Sequence, residues 1–274
     1  MSRSIATLLG AAGAAFAWGW FEAGWVRLRT LRVEIPDLAP ELDGLRIAHL
    51  SDFHLGVPSR GLRAVERAVA WVEERRPDLV LVSGDLLTHP RGEGRLRELV
   101  RRLPSCYAVL GNHDFGDARD PLAKPSHLTE LDPARLLRDE AAEVHIRGRT
   151  VQIVGVDPTS FTARKARLSR LADREADLRI LLCHYPDVFD RADVGDFELI
   201  LSGHLHDGQI TIPLGFRRIG LAHMRPRYTK GLYRRGGSVM HVSAGLGTTF
   251  VPFRFFARPE ATELILGGLD ETPR

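Results

Sequence analysis

The chain has 274 residues, 44% hydrophobic and 27% charged, which fits one α/β domain with a full core and excludes a disordered polymer. Its formal net charge of +3 is too small to argue for a nucleic-acid partner. The two cysteines, Cys106 and Cys183, each sit in an apolar run, which argues against a disulfide framework.

In chain order, the first predicted element is an apolar helix. From Ser4 to Phe21, 18 residues carry no charge, and Trp18, Trp20, Phe21 and Trp25 gather at the far end. That length sits at the lower edge for spanning a bilayer, and clustered Trp fits an interfacial belt. The segment is therefore expected to be a membrane anchor, with residues 1–30 as anchor and juxtamembrane segment and residues 31–274 as the catalytic body. A cleaved signal, with Ala15-Phe16-Ala17 as the small-residue site, and a buried helix are the alternatives. Arg27, Arg29 and Arg32 after the segment, against Arg3 before it, place the body on the cytoplasmic face of the inner membrane, with export to the periplasmic face as the alternative.

Strands and helices then alternate. Strands are expected at 31–35, 45–50, 78–82 and 106–110, with helices at 62–75 and 94–103 between them. Val65, Val69 and Val72 share one helical face. A helix is expected at 134–139, a hairpin around Gly148, a helix at 164–173, and strands at 179–182, 197–201, 209–212, 231–234, 239–242 and 262–266. Alternation in the first half and dense strand in the second read as a β-sandwich flanked by helices.

Five stretches repeat one pattern, an apolar strand followed by a tight polar turn. They are Ser51-Asp52-Phe53-His54, Gly84-Asp85, Gly111-Asn112-His113-Asp114, Cys183-His184 and Gly203-His204-Leu205-His206. Ligands in open α/β sheets bind where strand carboxyl ends converge. In an extended backbone, Asp52 and His54 point the same way, as do His204 and His206. Two such pairs with Asp85, Asn112 and His184 make seven donors, suited to two cations sharing a carboxylate. Mixed nitrogen and oxygen donors suit Mn²⁺, Fe or Zn²⁺ and disfavour Ca²⁺, and Mn²⁺ is the expected pair. His89, His127, His145, His223 and His241 lack the pattern and read as structural or surface; His49 is a candidate to support a ligand from behind.

The ordered set D-x-H, G-D, G-N-H-D, H and G-H-x-H resembles the calcineurin-like metallophosphoesterase superfamily over about residues 45–266. The resemblance implies a four-layer α/β/β/α sandwich of two mixed sheets and a phosphoric ester or diphosphate hydrolase. It implies that Asp52, His54, Asp85 and His206 bind one metal and that Asp85, Asn112, His184 and His204 bind the other. His113 would stand beside the metals as the catalytic residue, with Asp114 either orienting it or capping the turn. Thr88 stands where protein Ser/Thr phosphatases carry an acidic residue, which disfavours that branch. The late Gly245-Leu246-Gly247, Pro252-Phe253-Arg254 and Pro259-Glu260 segments are similar to a membrane-associated bacterial branch. That branch includes phosphodiesterases and a UDP-2,3-diacylglucosamine diphosphatase of lipid A biosynthesis. Asp207 departs from its usual Gly.

Arg217, Arg218, Arg225, Arg227 and Lys230 form a basic run expected to hold phosphates, or else a solvated loop. Phe250, Val251, Phe253, Phe255 and Phe256 are expected to form ordinary core or line an acyl groove. The leading substrate is UDP-2,3-diacylglucosamine, cleaved to UMP and the lipid monophosphate. A general phosphodiesterase acting on soluble or envelope phosphoesters is the alternative, and a non-catalytic scaffold the remote one. No obligate protein partner is inferred.

Overall fold

The computed structural model of the chain describes residues 3–117, 119–214, 217–220 and 227–268. Helix α1 (Arg3–Ala23) leads into strand β1 (Arg27–Glu34), then β2 (Arg46–Leu50), α2 (Gly61–Arg75), β3 (Leu79–Ser83), α3 (Glu93–Val100), β4 (Cys106–Val109) and the short β5 (Arg135–Leu136). Next come β6 (Glu140–Ile146), β7 (Arg149–Val156), the short helices α4 (Pro158–Thr162) and α5 (Leu168–Leu171), β8 (Leu178–Cys183) and β9 (Leu199–Ser202). A small hairpin, β10 (Thr211–Leu214) and β11 (Arg217–Gly220), precedes β12 (Gly231–Arg235), β13 (Ser238–Val242) and β14 (Glu260–Gly267).

Two six-stranded mixed sheets result. One has the order β1-β14-β2-β3-β4-β5 and the other β12-β13-β9-β8-β7-β6. The strands nearest the site run parallel to one another within each sheet, β2, β3 and β4 in one and β8 and β9 in the other, so their carboxyl ends emerge on one edge. Alternation of side chains sorts the core. In β8, Ile180 and Leu182 face the first sheet among Ile47, Leu79, Leu81 and Leu264, while Leu181 and Cys183 face outward against Val188, Phe189 and Phe197. Helix α2 closes the outer face of the first sheet with Ala64, Val65, Ala68, Val69 and Val72. The full burial of both faces is why these strands read as continuous apolar runs.

Four local expectations change. Residues 134–139 hold the edge strand β5, not a helix, because Leu136 pairs with Ala108 and is buried at the sheet margin. Residues 164–173 hold one short helical turn, α5. Asp52 and His54 are not extended: their φ angles are 54° and 48°. The chain curls after β2 and runs beside the loop after β3, with Asp52 N–H donating to Gly84 O and His54 N–H to Asp85 O.

The fourth concerns the N-terminus. A helix forms at α1, yet among the described residues no helix is long and apolar enough to cross a membrane. Alanine and glycine fill much of its uncharged stretch and bring little transfer free energy to a bilayer. The expectation of a membrane anchor, and the membrane location and orientation read from it, is corrected accordingly. The last turns of α1 instead dock on the protein: Glu22 and Ala23 are buried, Arg254 N–H donates to Gly19 O, and Ala257 N–H donates to Glu22 Oε1 at 2.8 Å. A Cβ on Gly19 would come within 2.5 Å of the Phe255 ring, so the close approach requires glycine.

Candidate metal centre and its cavity

Each candidate donor follows a parallel strand. Asp52 and His54 lie past β2, Asp85 past β3, Asn112 and His113 past β4, His184 past β8, and His204 and His206 past β9. Asp52, His54, Asp85, His184 and His206 are buried, Asn112 nearly so, and His204 half-buried. Asp85, His204 and His206 also sit at positive φ, at 53°, 76° and 51°, alongside Asp52 and His54. Left-handed backbone at five non-glycine residues is costly and is held only where surrounding structure over-determines it, as at functional sites. Glycine makes the approach possible: a Cβ on Gly111 would lie 2.1 Å from Asp85 Oδ1, and one on Gly203 2.4 Å from Asp52 Oδ2.

The donor atoms fall into two overlapping groups. Asp52, His54, Asp85 and His206 form one and Asp85, His184 and His204 the other, the atoms of each lying within 4.8 Å of one another. Asn112 Oδ1 joins the second group at 3.2 Å from His184 Nε2. In the first, His54 Nε2 and His206 Nε2 face each other at 3.0 Å, His206 Nε2 lies 3.3 Å from Asp52 Oδ1, and His54 Nε2 lies 3.5 Å from Asp85 Oδ2. In the second, His184 Nε2 lies 3.2 Å from both Asp85 Oδ2 and His204 Nδ1. Metal–donor bonds of about 2.1 Å set neighbouring donors about 3.0 Å apart in an octahedron and about 3.4 Å in a tetrahedron, and these separations match such edges. Asp52 Oδ2 is buried with no hydrogen-bond partner among the described residues, a lone pair that a cation would satisfy. The residues therefore fit two divalent ions with Asp85 common to both.

The electrostatics agree. Burial pushes His54 well below the usual imidazole range and His206 below it, toward the neutral form that offers a lone pair. At His184 burial is outweighed by Asp85, and the imidazole is pushed up to about 9, so positive charge is favoured at that point. Burial opposes ionisation of Asp52, but His206 and His184 outweigh it and hold the carboxyl below its usual range.

Supporting contacts fix the donors. Thr88 Oγ1 lies 2.8 Å from His54 Nδ1. His184 Nδ1 lies 2.8 Å from Ser83 O, and Ser83 Oγ lies 2.8 Å from His49 Nε2, so His49 reaches the site at one remove. His49 and His241 meet across the two sheets, Nδ1 to Nδ1, at 2.7 Å. Asp114 caps the turn: it accepts the N–H groups of Gly111, Leu86 and Leu87, and burial, then Asp85, pushes it up to about 7. Asp207 takes the left-handed backbone (φ 53°) that glycine adopts at no cost, and ion-pairs with Lys230 at 2.7 Å. Arg254 is fully buried; it donates to the carbonyls of Gly247, Ala244 and Ala257 and places Nη2 3.2 Å from His206 Nδ1.

A cavity of about 710 Å³ opens over the donors. Asp85, Asn112, His113, His204 and His206 form its floor, and Tyr185, Leu205, Ile210, Phe250 and Val251 give it an apolar wall. Arg119, on the loop after Asn112, is a guanidinium in that lining. The basic run expected to hold phosphate is placed differently: Arg227 is exposed and pairs with Asp190 at 2.8 Å, away from the cavity lining. The side chains of Arg217 and Arg218, and all of Arg225, lie outside the described residues. The late aromatic cluster divides, with Phe250 and Val251 on the cavity and Phe253 against Phe16 and Trp20 of α1. Sequence reasoning missed Tyr185, Arg119 and Thr249. Only Tyr185 carried a local sign, its place directly after His184.

Two buried donor groups sharing a carboxylate, at the strand ends of a two-sheet α/β sandwich, define a metal-dependent hydrolase of phosphoric esters. The chain belongs to the calcineurin-like phosphoesterase family, whose model matches residues 45–208. It is similar to two Bacillus subtilis metallophosphoesterases: YkoQ, 29% identical with 86% of this chain and 89% of the relative aligned, and YkuE, 30% identical with 82% and 79% aligned. It is also similar to the UDP-2,3-diacylglucosamine pyrophosphatase LpxG of Chlamydia trachomatis, 25% identical with 95% of both chains aligned.

Proposed function

We propose that the protein hydrolyses a phosphodiester or diphosphate bond in a substrate with a large apolar part, UDP-2,3-diacylglucosamine being the candidate, to give UMP and the lipid monophosphate. The observation that carries this reading is the cavity: metal donors form its floor and Tyr185, Leu205, Ile210, Phe250 and Val251 its wall. A lipid-bearing diphosphate needs both halves, and the likeness to the chlamydial pyrophosphatase supports the choice.

In this reading Asp52, His54, Asp85 and His206 hold one divalent cation and Asp85, Asn112, His184 and His204 the other, with Mn²⁺ first and Fe or Zn²⁺ as alternatives. When bound, such a pair activates water near neutral pH and offsets charge on the phosphoryl oxygens. The chain does the rest. Asp85 fixes the two sites relative to each other. His113, whose backbone N–H is tied to Asp85 Oδ1 at 2.9 Å and whose ring packs edge-on to His54, donates to a phosphoryl or leaving oxygen. Arg119 meets the second phosphate, and the apolar wall excludes solvent from the reacting bond.

The test is product analysis with purified protein and Mn²⁺ across a panel of phosphoesters that includes the nucleotide lipid. Release of UMP supports the proposal. Robust cleavage of soluble diesters without UMP release rejects the lipid substrate in favour of a general phosphodiesterase, and no turnover at full metal loading rejects the enzyme reading.

A further inference from the structure

We propose that Asp120 and Thr249 form a hydrogen-bonded relay that positions His113 and fixes Nε2 as the nitrogen carrying the proton toward the substrate. The inference rests on the reading of His113 as the residue that donates to the leaving oxygen. The two neighbours a sequence would nominate for this task are committed elsewhere, Thr88 to His54 Nδ1 and Asp114 to three backbone N–H groups. What meets His113 comes from farther off. Thr249 Oγ1 lies 3.3 Å from His113 Nε2 and 3.1 Å from Asp120 Oδ2.

The direction of each hydrogen bond follows from counting protons. A threonine hydroxyl has one proton to give. Asp120 is buried, and its carboxylate already accepts Phe250 N–H at 2.7 Å and Leu122 N–H at 2.9 Å, so it acts as an acceptor. The Thr249 proton therefore goes to Asp120, and the hydroxyl lone pair faces His113. Nε2 must then donate. The other nitrogen, Nδ1, is buried with no partner among the described residues, and an unmet lone pair is the less costly state there than an unmet N–H. Thr249 cannot swing away, because Gln209 clamps its backbone: Thr249 N–H donates to Gln209 Oε1 at 2.9 Å, and Gln209 Nε2 donates to Thr249 O at 2.7 Å. His113 and Thr249 both line the cavity, so the Nε2 N–H stands at its surface, where it can shift its hydrogen bond from Thr249 to an incoming oxygen and keep its proton. Asp120 and Thr249 are positioning residues in this scheme, and His113 alone touches substrate.

A hydrogen bond to the departing oxygen matters most when that oxygen is a poor leaving group, which separates this role from a structural one. Mn²⁺-loaded wild type, His113→Ala, Thr249→Val, Thr249→Ser and Asp120→Asn are compared on a 4-nitrophenyl phosphodiester and on an alkyl phosphodiester. The expected result is that T249V slows the alkyl ester about ten-fold more than the nitrophenyl ester, in the same sense as H113A but to a smaller degree, and that T249S restores the wild-type ratio. Asp120→Asn is expected to give a smaller loss of the same kind, because an amide keeps one acceptor oxygen where the carboxylate has two, and Phe250 N–H, Leu122 N–H and the Thr249 hydroxyl all donate to that carboxylate. In parallel, ¹⁵N-histidine NMR of the Zn²⁺-loaded protein is expected to show His113 with its proton on Nε2 in wild type and a mixed population in T249V. A split in H113A without one in T249V, or a wild-type proton on Nδ1, overturns the relay and leaves the reading of His113 standing. No split in H113A overturns both.

Discussion

Replacing Arg254 by Met tests whether the buried guanidinium holds up one half of the metal centre. Arg254 has no solvent exposure and makes four contacts of 3.0 Å or less: Nε and Nη2 to Gly247 O at 3.0 and 2.6 Å, and Nη1 to Ala244 O and Ala257 O at 2.9 Å each. Methionine keeps much of the stem but strands three buried carbonyls, at about 1–3 kcal/mol apiece. Relief of the cost of burying a cation offsets part of this, leaving a net loss of about 3 kcal/mol. A domain with a stability of about 5–15 kcal/mol stays folded. The damage is local. Residues 244–247 carry Asp52 through Gly247 N–H, which donates to Asp52 O at 2.6 Å, and Arg254 itself touches His206. Asp52 and His206 belong to one donor group, whereas Asn112, His184 and His204 belong to the other. Urea denaturation of the metal-free protein should show the stability loss, and elemental analysis at limiting Mn²⁺ should show one of two metals lost. An unchanged midpoint with both metals retained, or equal loss of the two, would refute the reasoning.

Asp85→Asn should lower occupancy of both metals, while Asp52→Asn lowers one, read by metal content per chain, because Asp85 is common to the two groups. Gly111→Ala should abolish turnover with secondary structure intact by circular dichroism, since its Cβ would push into Asp85 Oδ1 at 2.1 Å. Chelation of the metals should lower the melting temperature and stop turnover, both recovering on addition of Mn²⁺, because the ligand binds only the folded chain. Glu263, buried between Arg46 and Arg75 with Nη2 contacts of 2.5 Å, gives a pH test remote from the site. Burial opposes its ionisation, but the two guanidinium hydrogen bonds prevail and its folded pKa falls below the ordinary value. The stabilisation is then complete above the ordinary glutamate range and lost as pH falls through the folded pKa. Glu263→Gln should cost about 2 kcal/mol at neutral pH, as its partners are part-exposed, and the gap to wild type in denaturant titrations should close in acid. A gap independent of pH would count against it.

The sequence by itself determined which residues are the candidate donors and which strand each one follows. Apolar runs closed by Asp, Asn or His after a glycine are local signals, and the strands form where those runs predict, because both sheet faces are buried. It also gave the lasting reading of Cys106 and Cys183, which are buried free thiols. It misread residues 134–139, where edge pairing outweighs helical spacing, and the N-terminal helix, where an uncharged length stood in for true hydropathy. Only the tertiary structure decided what meets what. His54 and His206, 152 residues apart, face each other because β2 and β9 end on the same edge of opposed sheets. The supports of His113 likewise arrive from Asp120 and Thr249, on loops that no spacing rule connects. Residue type and local backbone preference are written along the chain, whereas a distance between remote side chains exists only after the sheets have stacked and their connecting loops have been brought together.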